Sequence, residues 1–334
     1  MSTTTTLGWH SLDNVPAQQL YTERTQAVGT FNTRMNDFKV LLAGETRKHT
    51  TRVYDVGAQF HKAGELDSPP VTKRAYTDIS LTEPQAYELA AGFTQYAIVR
   101  GVDAEEYRGQ TTQGIRAAED ARTKIVLSSM MVKGGFWDAA ETVAPHAYKS
   151  HTHLTTHDHY LYSAASGAVT VAIMTTIKGH ITHHGYGEHG TLCGFIGSET
   201  AKTIEDAAEW ETTSNYVGTP FLARLQENGL WPSSVASPSM EVVGIPMVVE
   251  DWIPQHYVLV VDLGVSDKPC RWRQNETGLE DGLVINVVDD FKERKEQFRL
   301  WGACNVVHRS AGVAYYLNSA DAYTDPTIYT IDTL

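Results

Sequence analysis

The sequence predicts an α+β protein, with helices in its first two thirds and a run of strands closing the chain. Three observations carry this. Thr111 to Lys133 keeps a helical period: Ile115, Ala118, Ile125 and Met130 fall near one face, and Arg116, Asp120 and Lys124 recur every four residues on another, where they can pair. Gln297 to Val307 instead alternates. Phe298, Leu300, Cys304 and Val306 share one side, and Gln297, Arg299, Trp301 and Asn305 the other, as in a strand with one fully buried face. Finally, Val242–Val249, the apolar run Tyr257–Asp262 and Val313–Leu317 read as further strands with no helical pattern between them, so strands follow helices rather than alternate with them.

The elements follow in order. Residues 1–52 read as an extended arm with one short helical patch; six basic residues against four acidic make it mildly basic. From Gly57 to Ser80 the large apolar residues are only Phe60, Leu66, Val71, Tyr76 and Ile79, too few for a core, and Asp67-Ser68-Pro69-Pro70 punctuates the stretch like a turn. It reads as a projecting hairpin that rests on a neighbouring molecule. The helix over Thr111–Lys133 is stopped by Gly134-Gly135. A second helix is predicted after Ser166 as N-cap, with Val169, Ile173, Ile177 and Ile181 as its buried stripe and Gly185 as its stop. A short strand, Thr191 to Ile196, leads to a third helix capped by Ser198 with Glu199 in its first turn.

Composition narrows the function. A chain of 334 residues, 42% hydrophobic and 20% charged, has material for a large core. Its formal net charge of -13 argues against a duplex-binding protein, which relies on clustered Lys and Arg, but not against a container wall. Cys193, Cys270 and Cys304 are too few and too scattered for a disulfide framework. No apolar run is long enough to span a bilayer, and Met1–Thr6 lacks the basic and apolar regions of a signal peptide, so neither membrane insertion nor secretion is expected.

The order of these elements resembles the major capsid proteins of tailed phages, the Hong Kong 97-type capsid fold. The helix ending His183-His184-Gly185-Tyr186-Gly187 before a strand and the Ser198 helix is similar to that family's helix–strand–helix unit. Gly244-Ile245-Pro246-Met247-Val248 is similar to its Gly-x-Pro-Val strand, and Arg294 to Leu317 to its last two strands. The resemblance implies an N-terminal arm (1–52), an extended hairpin or E-loop (53–100), a peripheral domain with a long spine helix (101–150 and 281–334) and an axial domain (151–280). It further implies a structural protein of the virion, assembled in the host cytoplasm from hexamers and pentamers of itself into an icosahedral shell. That shell encloses double-stranded DNA without reading its sequence, beside a separate scaffolding protein, a portal and a possible decoration protein. No catalysis and no cofactor are implied. Candidate contacts between copies are Glu65 in the hairpin and Lys292, Glu293, Arg294 and Lys295 in a charged loop before the penultimate strand. Some members of the family cross-link their shells through an Asn in that loop. Asp289–Glu296 holds none, so dissolved particles are expected to run as monomers on a denaturing gel, and a ladder of covalent multimers would contradict this.

Two rivals were weighed. An encapsulin-type compartment shares the implied fold. A zinc-dependent hydrolase is the rival from another class: His151-Thr152-His153 and His157-Asp158-His159 have ligand-like spacing, with His180, His183, His184 and His189 downstream. Against it, Ala147–Ser150 is no buried strand, and the later histidines fall on the polar side and end of a helix, where the dipole alone favours them. No metal site is therefore expected. No Gly-x-Ser-x-Gly elbow, Walker A loop or Gly-x-Gly-x-x-Gly is present, and Glu119 and Asp120, being adjacent, point to different sides of a helix.

Overall fold

The computed structural model describes residues 39–41, 50–54, 76–82, 85–94, 104–138, 145, 148–149, 151–163, 168–187, 192–206, 216–217, 240–262, 269–274, 283–289 and 293–319. Most of the predicted arm, the hairpin tip with Glu65, and Ile115, Arg116 and Asp120 as side chains lie outside these residues, as does Lys292.

The long helix, α1 (Ala104–Met131), starts seven residues before the predicted position, because Ala104-Glu105-Glu106 supplies good helix formers with acidic groups at the positive end of the dipole. It ends at Met131, two residues before the predicted Lys133. Gly134 takes φ +86°, a conformation that costs glycine little, and Tyr160 donates its hydroxyl to the Met131 carbonyl, one of the acceptors the last turn leaves open. Ala118, Ile125 and Met130 are buried as expected, joined by Ala121, Val126, Leu127 and Met131.

Against α1 lies a five-stranded sheet. Strands β1 (Lys39–Leu41), β11 (Cys270–Gln274), β13 (Glu293–Val306) and β12 (Leu283–Asp289) stand in that order, and β4 (Gln85–Thr94) also pairs with β13. The alternation read from the sequence holds in β13: Phe298 and Leu300 are buried, and Gln297 and Arg299 are partly exposed. Cys304 is only half-buried. Glu88 of β4 sits opposite Arg299 and bonds it at 2.5 Å. β13 is longer than predicted. The reading of Glu293 to Glu296 as a loop is corrected: these residues pair with Thr94 to Ala91 of β4 and belong to the strand. Four charges in a row mask the period of two.

β2 (Thr50–Tyr54) and β3 (Tyr76–Ser80) form an antiparallel pair of their own. The third sheet has seven strands in the order β5 (Tyr160–Tyr162), β14 (Gly312–Tyr316), β10 (Tyr257–Asp262), β6 (Leu192–Ile196), β9 (Ile245–Val249), β8 (Met240–Val242) and β7 (Tyr216–Val217). Its centre is covered on both faces, which is why β10 reads as an unbroken apolar run. Tyr257, Leu259 and Val261 pack with the end of α1 and with Trp272, while Val258 and Val260 pack with helix α2 (Val171–Thr182).

Three local findings refine the sequence reading. Helix α2 is capped by Thr170, whose hydroxyl accepts from the Ile173 amide at 3.3 Å; Ser166 lies outside the described residues. The stripe Val169, Ile177 and Ile181 is buried with Met174, whereas Ile173 is half-buried, and Gly185 ends the helix at φ +85°. Helix α3 (Ser198–Asp206) follows β6 directly, with Ser198 already inside it. All three cysteines are free thiols.

β8 and β9 form a hairpin around Val243-Gly244, at φ +53° and +73°. A two-residue turn with both centres left-handed is the one that matches strand twist, and it favours Asn at the first position. A branched Val there is strained. Val243→Asn is expected to raise unfolding free energy by about 1 kcal/mol, measured by urea titration; a loss of stability would contradict the strain. Pro246 is tolerated because pairing of β9 with β6 begins one residue later, at Met247.

Glu241 of β8 is buried, and its Oε2 has no hydrogen-bond partner. Burial raises its pKa, with the Lys178 ammonium offsetting part of the effect. The folded chain then holds this proton more tightly than the unfolded one. The stabilisation is present below the ordinary carboxylate range and is lost as pH rises through the raised folded value. Glu241→Gln is thus expected to raise the thermal midpoint at neutral pH and to change it little below about pH 4; an equal effect at both would contradict this.

Candidate functional site

Around the C-terminal end of α2, histidines far apart in sequence converge. The segment before β5 reaches it by backbone bonds. Tyr148 and His151 exchange hydrogen bonds at 2.9 and 3.0 Å, the His157 amide turns back to the Leu154 carbonyl, and His159 is laid between Trp137 and β14, its amide donating to Trp137 and its carbonyl accepting from Ala314. His180, in the last turn of α2, and His184, two residues beyond its end, stand four residues apart. Glycine makes room for the approach: a Cβ on Gly185 would stand 2.6 Å from the Tyr148 ring.

Three ring nitrogens meet at the centre. The Nε2 atoms of His157 and His159 are 3.0 Å apart, and each lies 2.9 Å from Nε2 of His184. His159 is fully buried and its Nδ1 is 2.6 Å from the Gly312 carbonyl, so the proton sits on Nδ1 and Nε2 presents a lone pair. His153 stacks on His184 at 3.9 Å between centroids, and His151 on His183 at 3.8 Å. Nε2 of His153 and Nδ1 of His180 are buried without a partner. Each of these two residues forms a close ligand-like group with members of the central three.

Electrostatics keeps the cluster neutral. Burial first, then the neighbouring imidazoles, lowers His157 to about 4 and His184 to about 2; His159 is lowered to about 3 by burial and its neighbours, against the pull of the Gly312 carbonyl. His153, His180 and His183 are also lowered, chiefly by burial. Neutral imidazoles with inward lone pairs are the form that binds a metal.

Of the histidines named from the sequence, the structure brings His153, His157 and His159 into this centre and leaves His151 and His183 beside it; His189 lies outside the described residues. It also brings in His180 and His184, which the sequence pattern places on the polar side and at the end of a helix. Their four-residue spacing, the spacing at which two imidazoles on a helix can share one ion, was the available signal. Among the candidate contacts between copies, Glu293, Arg294 and Lys295 lie in β13, all three paired to β4 and the last two also to β12; Glu65 and Lys292 lie outside the described residues. Among the described residues, no helix is long and apolar enough to cross a membrane.

No protein-family model matches the chain, and no curated protein matches it. Solved structures do. A chain of Mycobacterium phage Patience superposes with a TM-score of 0.63 over 95% of this chain and 92% of its own, at 14% identity. The chain shares the fold of this phage chain. Looser likenesses are found to a chain of the bacteriophage PhiM1 mature capsid (TM-score 0.48, 10% identity, 86% of this chain and 87% of that one) and to the SrpI encapsulin of Synechococcus elongatus (TM-score 0.46, 12% identity, 91% and 97%). The order of elements read from the sequence thus has a counterpart in the fold of a phage protein.

Proposed function

We propose that the protein is the major capsid protein of a tailed DNA phage, with the Hong Kong 97-type organisation, and that its activity is assembly rather than catalysis. The observation that carries this reading is the near-complete overlap with the phage Patience chain, 95% of one and 92% of the other. In this reading α1 is the spine of the peripheral domain, built on the five-stranded sheet. The seven-stranded sheet forms the axial domain; β14, within the stretch 281–334 assigned to the peripheral domain, pairs with β10 and β5 of that sheet, so the closing stretch is shared between the two domains. Residues 1–52 serve as the arm and 53–100 as the extended hairpin, which reaches a neighbouring copy.

Rings of five and six then close into a shell because each copy is held through several faces at once, and closed symmetry multiplies modest contacts. Glu65, Lys292, Glu293, Arg294 and Lys295 are the proposed charged contacts. Exposed pairs contribute only about 0–1 kcal/mol each, so they set register more than strength. The net charge of -13 suits a wall that encloses DNA without gripping it. Scaffold, portal and decoration proteins are the proposed partners, the virion the proposed location.

Electron microscopy and nucleic-acid assay of native particles test the reading. Icosahedral shells containing double-stranded DNA are expected. Shells holding protein cargo and no DNA would replace the phage reading by an encapsulin, and the absence of shells would end both.

A further inference from the structure

We propose that His157, His159 and His184 bind a divalent first-row metal ion, zinc being the best match, in a structural site that fastens the segment before β5 to the C-terminal end of α2. The site stands apart from the shell reading and rests on its own observations.

The first is geometry. Ligands about 2.0–2.1 Å from one ion, at angles from square to tetrahedral, stand about 2.9 to 3.4 Å apart. The three Nε2 atoms lie 2.9 to 3.0 Å from one another, at the short end of that range. One ion can therefore touch all three.

The second is proton accounting. With its Nδ1 proton on the Gly312 carbonyl, His159 brings a lone pair to the triangle and no proton. His157 and His184 can each bring one proton or none. If both bring one, two N–H groups face each other; if one does, two lone pairs face each other along another edge; if neither does, all three edges are lone pair against lone pair. In every tautomer at least one contact of 3.0 Å or less is not a hydrogen bond, being either proton against proton or lone pair against lone pair, inside a largely dry cluster where unpaired polar contacts are costly. A cation satisfies all three nitrogens together.

The third is the surroundings. Nε2 of His153 and Nδ1 of His180 are buried and unpartnered, one on each side of the central set. Either residue supplies a fourth ligand. The His159–Gly312 bond is the outer partner that fixes ring and tautomer in protein metal sites. An all-imidazole set selects zinc, copper, nickel or cobalt over calcium or magnesium. The site is structural because His159 and His184 are buried and both orphaned nitrogens stand ready to close the coordination shell.

The test uses the full-length, untagged protein as isolated, stripped with a chelator and then titrated with zinc under elemental analysis. About one zinc per chain is expected, with a thermal midpoint that falls on stripping and returns on reloading. Cobalt in place of zinc is expected to give the visible absorption of a low-coordinate nitrogen site. His157→Gln, the least buried of the three and so the variant most sure to fold, is expected to weaken zinc binding by at least about 100-fold, as is His159→Ala. His256→Gln, outside the cluster, is expected to keep the ion. Zinc well below one per chain in a protein with its native circular dichroism would overturn the assignment. So would His157→Gln binding as tightly as the parent, or His256→Gln losing the ion as well.

Discussion

Trp272→Ala is expected to lower unfolding free energy by about 3–5 kcal/mol. The indole is fully buried in β11, where three elements depend on it. On one side lies α1, whose buried Arg122 places its guanidinium 5.8 Å from the ring centre. Along the sheet, β13 approaches through Gly302: a Cβ there would collide with Cζ2 and stand 2.5 Å from Cε2 and 2.9 Å from Cη2. The core cluster also joins Trp272 to Leu259 and Val261 of β10, so the residue links the five-stranded sheet to the seven-stranded one. Truncation leaves a cavity among elements too firmly paired to collapse, and it removes a cation–π contact. Denaturant unfolding of dissociated subunits measures the loss. A change below about 1 kcal/mol, the ordinary scale of a point mutation, would contradict this linking role.

Phe298→Ala is expected to cost a similar amount, about 3–5 kcal/mol, and to be partly repaired by a change on α1. The ring of Phe298 lies on Gly114, where a Cβ would collide with Cζ and stand 2.5 Å from Cε2. A glycine inside a helix costs about 1 kcal/mol relative to alanine, and here it is the condition for close approach of helix and strand. In the parent, Gly114→Leu is expected to destabilise by overpacking. In Phe298→Ala, the same change fills the cavity and restores helix propensity. The two substitutions together are expected to be less damaging than the sum of each alone, and strict additivity would contradict the contact.

Much of this fold was legible because its signals are local. The end of α1 is written in Gly134-Gly135, the double burial of β10 in its unbroken apolar run, and the orientation of β13 in the alternation around Phe298 and Leu300. What stayed hidden depends on distant partners. Gln85–Thr94 carries no mark that it will pair with Glu293–Gly302, and the charges of Glu293 to Glu296 obscured a strand that this pairing makes plain. The cap of α2 is Thr170 rather than Ser166 because the helix starts where its buried stripe meets the sheet, a matter of tertiary fit. The histidine centre is the clearest case. His157 and His159 meet His184 only because Trp137 and β14 hold His159 in place, and the carbonyl that sets its tautomer comes from Gly312, at the far end of the chain.

If the fold completes itself among copies, as proposed, the most direct measurement is the mass of the expressed protein in solution. Light scattering of the purified chain is expected to give particles of shell size, with rings of five and six visible by microscopy. A monodisperse single chain, stable over the range of concentrations at which capsid subunits assemble, would contradict the account.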